Sequence, residues 1–252
     1  MKKFGVYSVL AVSAFGFLLG LSPLKAHATS TVTMKFDGTT YNGKGGDSLG
    51  GIATYPYYFD IKNDATGTKT TGVPLLCLSF QDTITQYETW DATVYTLNND
   101  SGYNPGSPGT LTQTDLKADA WIDSQVIQDF KANPTGNATV IEELQWAAWM
   151  VGDSSLYNMS KSQLEYQYHL TSGQINTIDG YVTTALGEAS TETASFYSGY
   201  EIFVPMVGTQ SWGNTPQTFM GPVVPEPSSF ILFGSGLLTA AGALYRRKRR
   251  TA

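Results

Sequence analysis

The alternation of apolar and polar positions predicts strands on both sides of a helical middle. Val32, Met34 and Phe36 alternate with polar residues, and Tyr57, Phe59 and Ile61 do the same. A period of two is typical of a strand with one buried face. Apolar runs and repeated aromatic and β-branched residues add further segments, so the predicted strands are 32–36, 57–61, 73–80, 84–97 and 202–204.

Between the last two predicted strands the apolar period changes to that of a helix. Apolar residues recur three and four positions apart in 116–130, 140–151 and 175–186. That spacing places them on one face of a helix. Strands that flank a helical region indicate an α+β fold, here an antiparallel β-rich domain with an inserted helical region.

The N-terminal residues have the three parts of a secretory signal peptide. Two lysines, Lys2 and Lys3, precede an apolar stretch over residues 4–24, and Ala26 and Ala28 provide a small-x-small cleavage site. We therefore predict a signal helix within residues 1–28 and a mature chain that begins at Thr29.

A second apolar segment lies near the other end of the sequence. Residues 230–245 carry no charge and are followed by a basic cluster, Arg246, Arg247, Lys248, Arg249 and Arg250. At about 1.5 Å of rise per residue, such a helix is slightly short for a hydrocarbon core of roughly 30 Å. Positive residues after a span favour the cytoplasmic side. The sequence predicts a transmembrane helix within 228–252, with the basic tail in the cytoplasm and the N-terminal domain outside.

A proline motif stands before this segment, at Pro225, Glu226 and Pro227. Motif, short span and basic cluster together resemble the PEP-CTERM sorting signal of exported bacterial proteins. The resemblance implies an exosortase-type processing enzyme as a partner and an intermediate anchored in the inner membrane by the C-terminal helix. It also implies a final location at the cell surface or in the extracellular matrix. A permanent tail anchor is the alternative.

These signals divide the chain into a signal peptide, a domain, a linker and a sorting signal. The extracytoplasmic domain is predicted at 29–206, and a Gly- and Pro-rich linker that ends in the proline motif at 207–227. Outside the two terminal segments, the sequence contains seven Lys and Arg and all 21 Asp and Glu, which gives a net charge of −14. Such an acidic surface argues against nucleic acid as a partner.

The cysteine and histidine content excludes several kinds of site. Cys77 is the one cysteine, so the chain holds no internal disulfide. His27 leaves with the signal peptide, and His169 alone is too few for a His-rich zinc site. We predict no metal and no cofactor. A Cys77–His169 hydrolase dyad is an alternative, although no family signature surrounds either residue.

One pair of short segments indicates covalent chemistry. Leu75-Leu76-Cys77-Leu78 and Leu144-Gln145-Trp146-Ala147-Ala148-Trp149 resemble the thioester domains of bacterial surface adhesins. In that family a strand cysteine reacts with the glutamine of a hydrophobic-Gln-x-x-hydrophobic-Trp motif, which Leu144, Gln145, Ala148 and Trp149 match. The resemblance implies that Cys77 attacks the Gln145 carboxamide and releases ammonia. The strand at 73–80 must then run beside the helix at 140–151.

The sequence therefore predicts a non-enzymatic protein of a biofilm or exopolysaccharide layer. The resemblance of the Cys77 and Gln145 segments adds the hypothesis that it is a thioester adhesin. Two other hypotheses remain open. In the first, the domain is a membrane-anchored structural or carbohydrate-binding module without covalent chemistry, and Tyr55, Tyr57 and Tyr58 stack on sugars. In that case Cys77 packs as a small buried hydrophobe. A cysteine hydrolase is the other.

Overall fold

The computed structural model describes residues 30–41, 44–45, 48–97, 111–133, 138–211 and 216–223. The predicted signal peptide, with its cleavage site at Ala26 and Ala28, lies outside these residues. So do the proline motif and the predicted transmembrane helix with its basic tail. Within the described ranges, no helix combines the length and the apolar character that crossing a membrane requires.

Six strands close into an antiparallel barrel. They are β1 (Ser30–Gly38), β6 (Tyr57–Asn63), β7 (Lys69–Cys77), β8 (Thr89–Thr96), β9 (Tyr200–Pro205) and β10 (Phe219–Pro222). Around the barrel their order is β1-β6-β7-β10-β9-β8. Two small hairpins between the first two of these strands are formed by β2 (Thr40–Tyr41), β3 (Lys44–Gly45), β4 (Ser48–Leu49) and β5 (Ile52–Ala53).

The inward side chains of these strands form an aromatic core. Met34, Phe59 and Phe219 are fully buried, and Trp90 is 1% exposed. The ring of Phe219 lies 4.6 Å from that of Phe59 and 6.5 Å from that of Trp90. Large aromatic and β-branched residues fit the pleated interior of a sheet, which explains why the alternating segments form these strands.

The helical region follows β8 and returns to the barrel at β9. It contains α1 (Gln113–Ala132), α2 (Ala138–Gly152), α3 (Ser154–Tyr157), α4 (Lys161–Tyr168), α5 (Ser172–Glu188) and α6 (Ala194–Tyr197). The three long helices pack on one another, and the barrel contacts them through β7 and β10. Capping boxes at Thr112, Ser160 and Thr171 fix the starts of α1, α4 and α5.

The structure confirms a mixed helix and strand fold with an antiparallel sheet and corrects the predicted elements in several places. The segment Phe219–Pro222 falls inside the predicted linker, yet it is the strand that joins β7 to β9. A Cβ atom at Gly221 would lie 2.4 Å from Cδ2 of Leu75, so a larger residue there would displace this buried side chain. Strand β7 ends at Cys77 rather than residue 80, and β8 begins at Thr89 rather than residue 84. The polar helix α4 was not predicted, because Leu164 is its one buried residue.

Candidate functional site: a buried cysteine–glutamine pair

Cys77 occupies a strand end where one neighbour is missing. On one side it lies opposite Phe219 of β10, and the next residue, Leu78, donates its N–H to the Thr218 carbonyl at 2.9 Å. Since antiparallel residues alternate between hydrogen-bonded and non-bonded pairs, the backbone groups of Cys77 point away from β10. On the other side, β6 begins at Tyr57, which pairs with Leu75. The N–H and C=O of Cys77 therefore face a place that no strand of the described residues occupies.

The side chain of Gln145 fills this place. Its Oε1 accepts the backbone N–H of Cys77 at 3.2 Å, and its Nε2 donates to the Cys77 carbonyl at 2.8 Å. Both residues are fully buried. A buried backbone group without a partner is costly, and one carboxamide satisfies two of them here. The structure thus brings together the two residues that the sequence pairs, which stand 68 positions apart.

Helix α2 is buried on most of its surface, and Gln145 is one of its buried residues. From this position its side chain reaches β7 of the barrel. The residues of the matched motif, Leu144, Ala148 and Trp149, are all at most 1% exposed. Trp149 stands one turn after Gln145 and therefore shares its face. The indole N–H of Trp149 faces the Cys77 sulfur and lowers the pKa of the thiol, although the geometry falls short of a regular hydrogen bond.

The thiol of Cys77 is held in its neutral form. Burial raises its pKa to about 12, against the lowering effects of Trp149 and the Ser79 backbone, and the Asp82 and Asp119 carboxyls raise it further. The sulfur donates to the Ser79 carbonyl at 3.3 Å. Because the thiolate is the nucleophilic form, any reaction of Cys77 needs a group that accepts its proton.

Residues 78–82, which we call the cover loop, close the site from one side. Gln217 holds this loop by donating from Nε2 to the carbonyls of Ser79, at 3.0 Å, and Asp82, at 2.7 Å. Gln81 of the loop donates to Asp153 at the end of α2, at 3.2 Å. These bonds connect the cover loop to the residues that precede β10 and to the helical region.

An aromatic cluster joins the cover loop to α2 and α4. The ring of Phe80 packs against Trp146 and Trp149 at 5.5 and 5.1 Å, and against Tyr168 at 5.5 Å. The Trp146 indole also donates to the Leu49 carbonyl at 3.2 Å. The Cys77–Gln145 pair itself is fully buried.

Two buried acids of α1 were not identified from the sequence. Asp119 and Asp123 are fully buried, and none of their carboxyl oxygens has a hydrogen-bond partner among the described residues. Burial raises the pKa of both well above the ordinary value, and for Asp119 the charges of Asp115 and Asp123 add to the effect. A signal was present, since both acids share helical spacing with the apolar Leu116 and Ala120.

The structure also places the residues named in two alternative hypotheses. His169 is exposed at the end of α4, whereas Cys77 is fully buried, so the two do not form an accessible dyad. Tyr55, Tyr57 and Tyr58 are at most 5% exposed, so they offer no surface on which a sugar could stack. The predicted processing residues Pro225, Glu226 and Pro227 and the basic cluster Arg246 to Arg250 lie outside the described residues.

Comparison with known proteins identifies the C-terminal segment. The N-terminal domain of the Streptococcus pyogenes pilus tip adhesin Cpa aligns over 78% of this chain and 95% of that chain, at 12% sequence identity and a TM-score of 0.41, which is too low to establish a shared fold. No curated protein matches the chain. Residues 223–250 match the family described as the PEP-CTERM protein-sorting motif. The chain therefore carries a PEP-CTERM sorting signal, which indicates an exported protein that is anchored in the membrane before sorting and processed by an exosortase-type enzyme.

Proposed function

We propose that the exported domain is a surface-attachment module in which Cys77 and Gln145 form an internal thioester. The observation that supports this most is the pair of reciprocal hydrogen bonds between the Gln145 carboxamide and the Cys77 backbone. These bonds hold the reacting carbonyl beside the residue that carries the thiol. The Leu144, Ala148 and Trp149 positions of the motif surround the pair as buried side chains.

For the thioester to form, the Cys77 sulfur leaves the Ser79 carbonyl, to which it donates at 3.3 Å, and bonds to Cδ of Gln145. The S–C bond forms, the C–N bond breaks, and the thiol proton leaves with the amide nitrogen as ammonia. The Cys77 N–H, which contacts Oε1 at 3.2 Å, stabilises the negative charge that this oxygen gains in the tetrahedral intermediate.

The closed site suits a thioester that must survive until it meets its target. Water hydrolyses thioesters, and a thioester between two fully buried residues is shielded from it. Movement of the loop then admits an amine or hydroxyl of a partner molecule. Attack at the Gln145 carbonyl makes an amide or ester to the partner and returns the Cys77 thiol. Each molecule reacts once, so the protein is not an enzyme.

The sorting signal indicates where this capture takes place. Release at the cell surface brings the domain to exopolysaccharide, matrix proteins and other cells. The excess of acidic residues in the domain keeps it soluble there and favours cationic, amine-bearing partners over nucleic acid. The module therefore serves adhesion or retention in a biofilm matrix.

Methylamine tests this proposal as a minimal partner nucleophile. Native protein incubated with isotope-labelled methylamine is expected to incorporate one label per chain, because the thioester acylates primary amines. Peptide mapping should place the label on Gln145, and Cys77 should become alkylatable after unfolding. Protein that incorporates no label while Cys77 is already alkylatable would leave Gln145 with the structural role of pairing the Cys77 backbone.

Processing of the sorting signal gives a separate prediction. Protein recovered from the cell surface is expected to lack residues 228–252, since an exosortase-type enzyme removes the segment after the proline motif. Intact mass measures this directly. A variant with Pro225 and Pro227 both changed to alanine should keep the tail. A dominant surface species that retains the basic cluster would contradict the cleavage while leaving the orientation in the membrane unaffected.

A further inference from the structure

The cover loop is a partly exposed neighbour of the Cys77 sulfur. Its Ser79 carbonyl accepts the thiol hydrogen at 3.3 Å, and Ser79 itself is only half-buried. Gln145 and Phe219, which bond or pair with Cys77 from the other elements, are fully buried. Of these three neighbours, Ser79 is the one that also reaches the surface, so displacement of the cover loop opens a path from solvent to the pair.

One buried side chain holds the cover loop near both of its ends. Gln217 donates from Nε2 to the Ser79 carbonyl at 3.0 Å and to the Asp82 carbonyl at 2.7 Å. The next residue, Thr218, donates its backbone N–H to Oγ of Ser79 at 3.1 Å. Gln217 is 7% exposed, so water competes little for its hydrogen bonds. The loop is therefore fastened to the segment before β10 through Gln217 and its neighbour.

The Ser79 carbonyl links Gln217 to the thiol. This one oxygen accepts a hydrogen bond from Nε2 of Gln217 and another from the sulfur of Cys77. When the thiol loses its proton during thioester formation, the carbonyl keeps the Gln217 donor alone of these two. The hold of Gln217 on Ser79 therefore matters most in the state that carries the reactive bond.

The other atom of the Gln217 carboxamide limits the stability of the closed loop. Because both partners of Nε2 are carbonyl oxygens, Oε1 cannot bond to them, and it is buried without a hydrogen-bond partner among the described residues. A buried acceptor without a partner is costly, and opening of the loop would let water pair with it. This cost offsets part of what the two hydrogen bonds contribute, so the loop is held closed but remains able to open.

We propose that Gln217 is the latch of the cover loop, a positioning residue that sets how fast an outside nucleophile reaches the Cys77–Gln145 pair. The inference rests on the proposed function for what reacts at the pair, whereas the contacts of the latch do not depend on it. Release of the two Gln217 hydrogen bonds lets Ser79 move away from the sulfur and admits the nucleophile. Formation of the thioester needs no reagent from outside, so it proceeds with the latch closed.

Gln81 provides a matched control in the cover loop itself. It also attaches the loop, through a hydrogen bond to Asp153 at 3.2 Å, but its side chain is exposed. A hydrogen bond at the surface is exchanged for one to water at little cost. Gln81→Ala therefore removes the same kind of side chain and leaves the buried bonds of Gln217 in place. Gln217→Met is a second test variant, because methionine fills a similar length without an N–H donor.

The test measures how fast the folded full chain, in mild detergent, incorporates isotope-labelled methylamine. We expect Gln217→Ala and Gln217→Met to incorporate it at least about 10-fold faster than wild type, since two buried hydrogen bonds no longer hold the loop. Gln81→Ala should stay within about twofold of wild type. Labelling should depend only weakly on urea below the unfolding transition, because opening of a loop exposes little surface. Near-UV circular dichroism checks that each variant is folded.

Labelling of the folded Gln217 variants at the wild-type rate would overturn the latch and leave the thioester intact. An acceleration that rises with urea as steeply as global unfolding would also overturn it, since general destabilisation would then explain the result. A wild-type chain that neither loses ammonia nor incorporates methylamine would instead overturn the thioester. The rate at which iodoacetamide alkylates Cys77 in the same folded variants then decides the latch: faster alkylation without Gln217 supports it, and equal rates overturn it.

Discussion

Replacing Phe219 with alanine is expected to destabilise the domain by about 3–5 kcal/mol, the usual cost of removing a large buried aromatic side chain. The ring of Phe219 is fully buried and lies 4.6 Å from Phe59 and 5.7 Å from Tyr57. It also belongs to the four-residue strand that joins β7 to β9. The loss therefore weakens both the aromatic core and the closure of the barrel.

Urea unfolding monitored by circular dichroism measures this effect. Val223→Ala is the control, because Val223 follows the same strand and is 36% exposed. We expect that variant to remain within about 0.5 kcal/mol of wild type, as surface substitutions usually do. A Phe219→Ala variant as stable as Val223→Ala would show that the segment Phe219–Pro222 is not part of the folded barrel.

The second large effect is expected from Gln145→Ala, which should abolish thioester formation completely. The substitution removes the carbonyl that Cys77 would attack, so neither ammonia loss nor methylamine labelling should remain. It also leaves the buried N–H and C=O of Cys77 without partners, at about 1–3 kcal/mol for each unpaired group. Intact mass and urea unfolding measure the two consequences separately.

Gln217→Ala is the matched control for this variant. Gln217 is also a buried glutamine, 7% exposed, and it bonds the cover loop at Ser79 and Asp82. Its loss should lower stability while ammonia loss continues. Ammonia loss that persists in Gln145→Ala would show that another carboxamide reacts or that no thioester involves this residue. Loss of the reaction in both variants would indicate a general effect of destabilisation.

Local sequence patterns predicted the elements whose side chains repeat with a clear period. The alternation of Val32, Met34 and Phe36 corresponds to β1, where all three are buried. The spacing of apolar residues likewise predicted α1, α2 and α5. These elements bury one face against the rest of the domain, and the residues of that face recur in the sequence with the period of a strand or a helix.

Other features depend on contacts between distant parts of the chain. Strand β10 has four residues and contains Gly221 and Pro222, so it has neither the length nor the period of a recognisable strand. It forms because β7 and β9 supply partners on both sides. Its residue Phe219 pairs with Cys77 of the neighbouring strand β7, and no local sequence pattern predicts that pairing.

The candidate site divides in the same way. The pairing of Cys77 with Gln145 could be predicted because two short motifs resemble those of thioester adhesins, and the structure brings the two residues into contact. The two residues meet because the Gln145 side chain pairs with backbone groups of Cys77 that no strand satisfies. Those groups are open because β6 begins at Tyr57, opposite Leu75, and does not reach Cys77. Asp119 was missed because an acid within a helical pattern is normally taken to face solvent.

The intact mass of the native chain, recovered from the cell surface and unfolded at acidic pH, tests the thioester most directly. Thioesters survive these conditions, and the acid prevents exchange with other nucleophiles. We expect a mass lower by one ammonia than the processed sequence, and a Cys77 that resists alkylation until the thioester is opened. The full mass of the processed sequence, with Cys77 alkylated at once on unfolding, would contradict the thioester and reduce the pair to a structural contact.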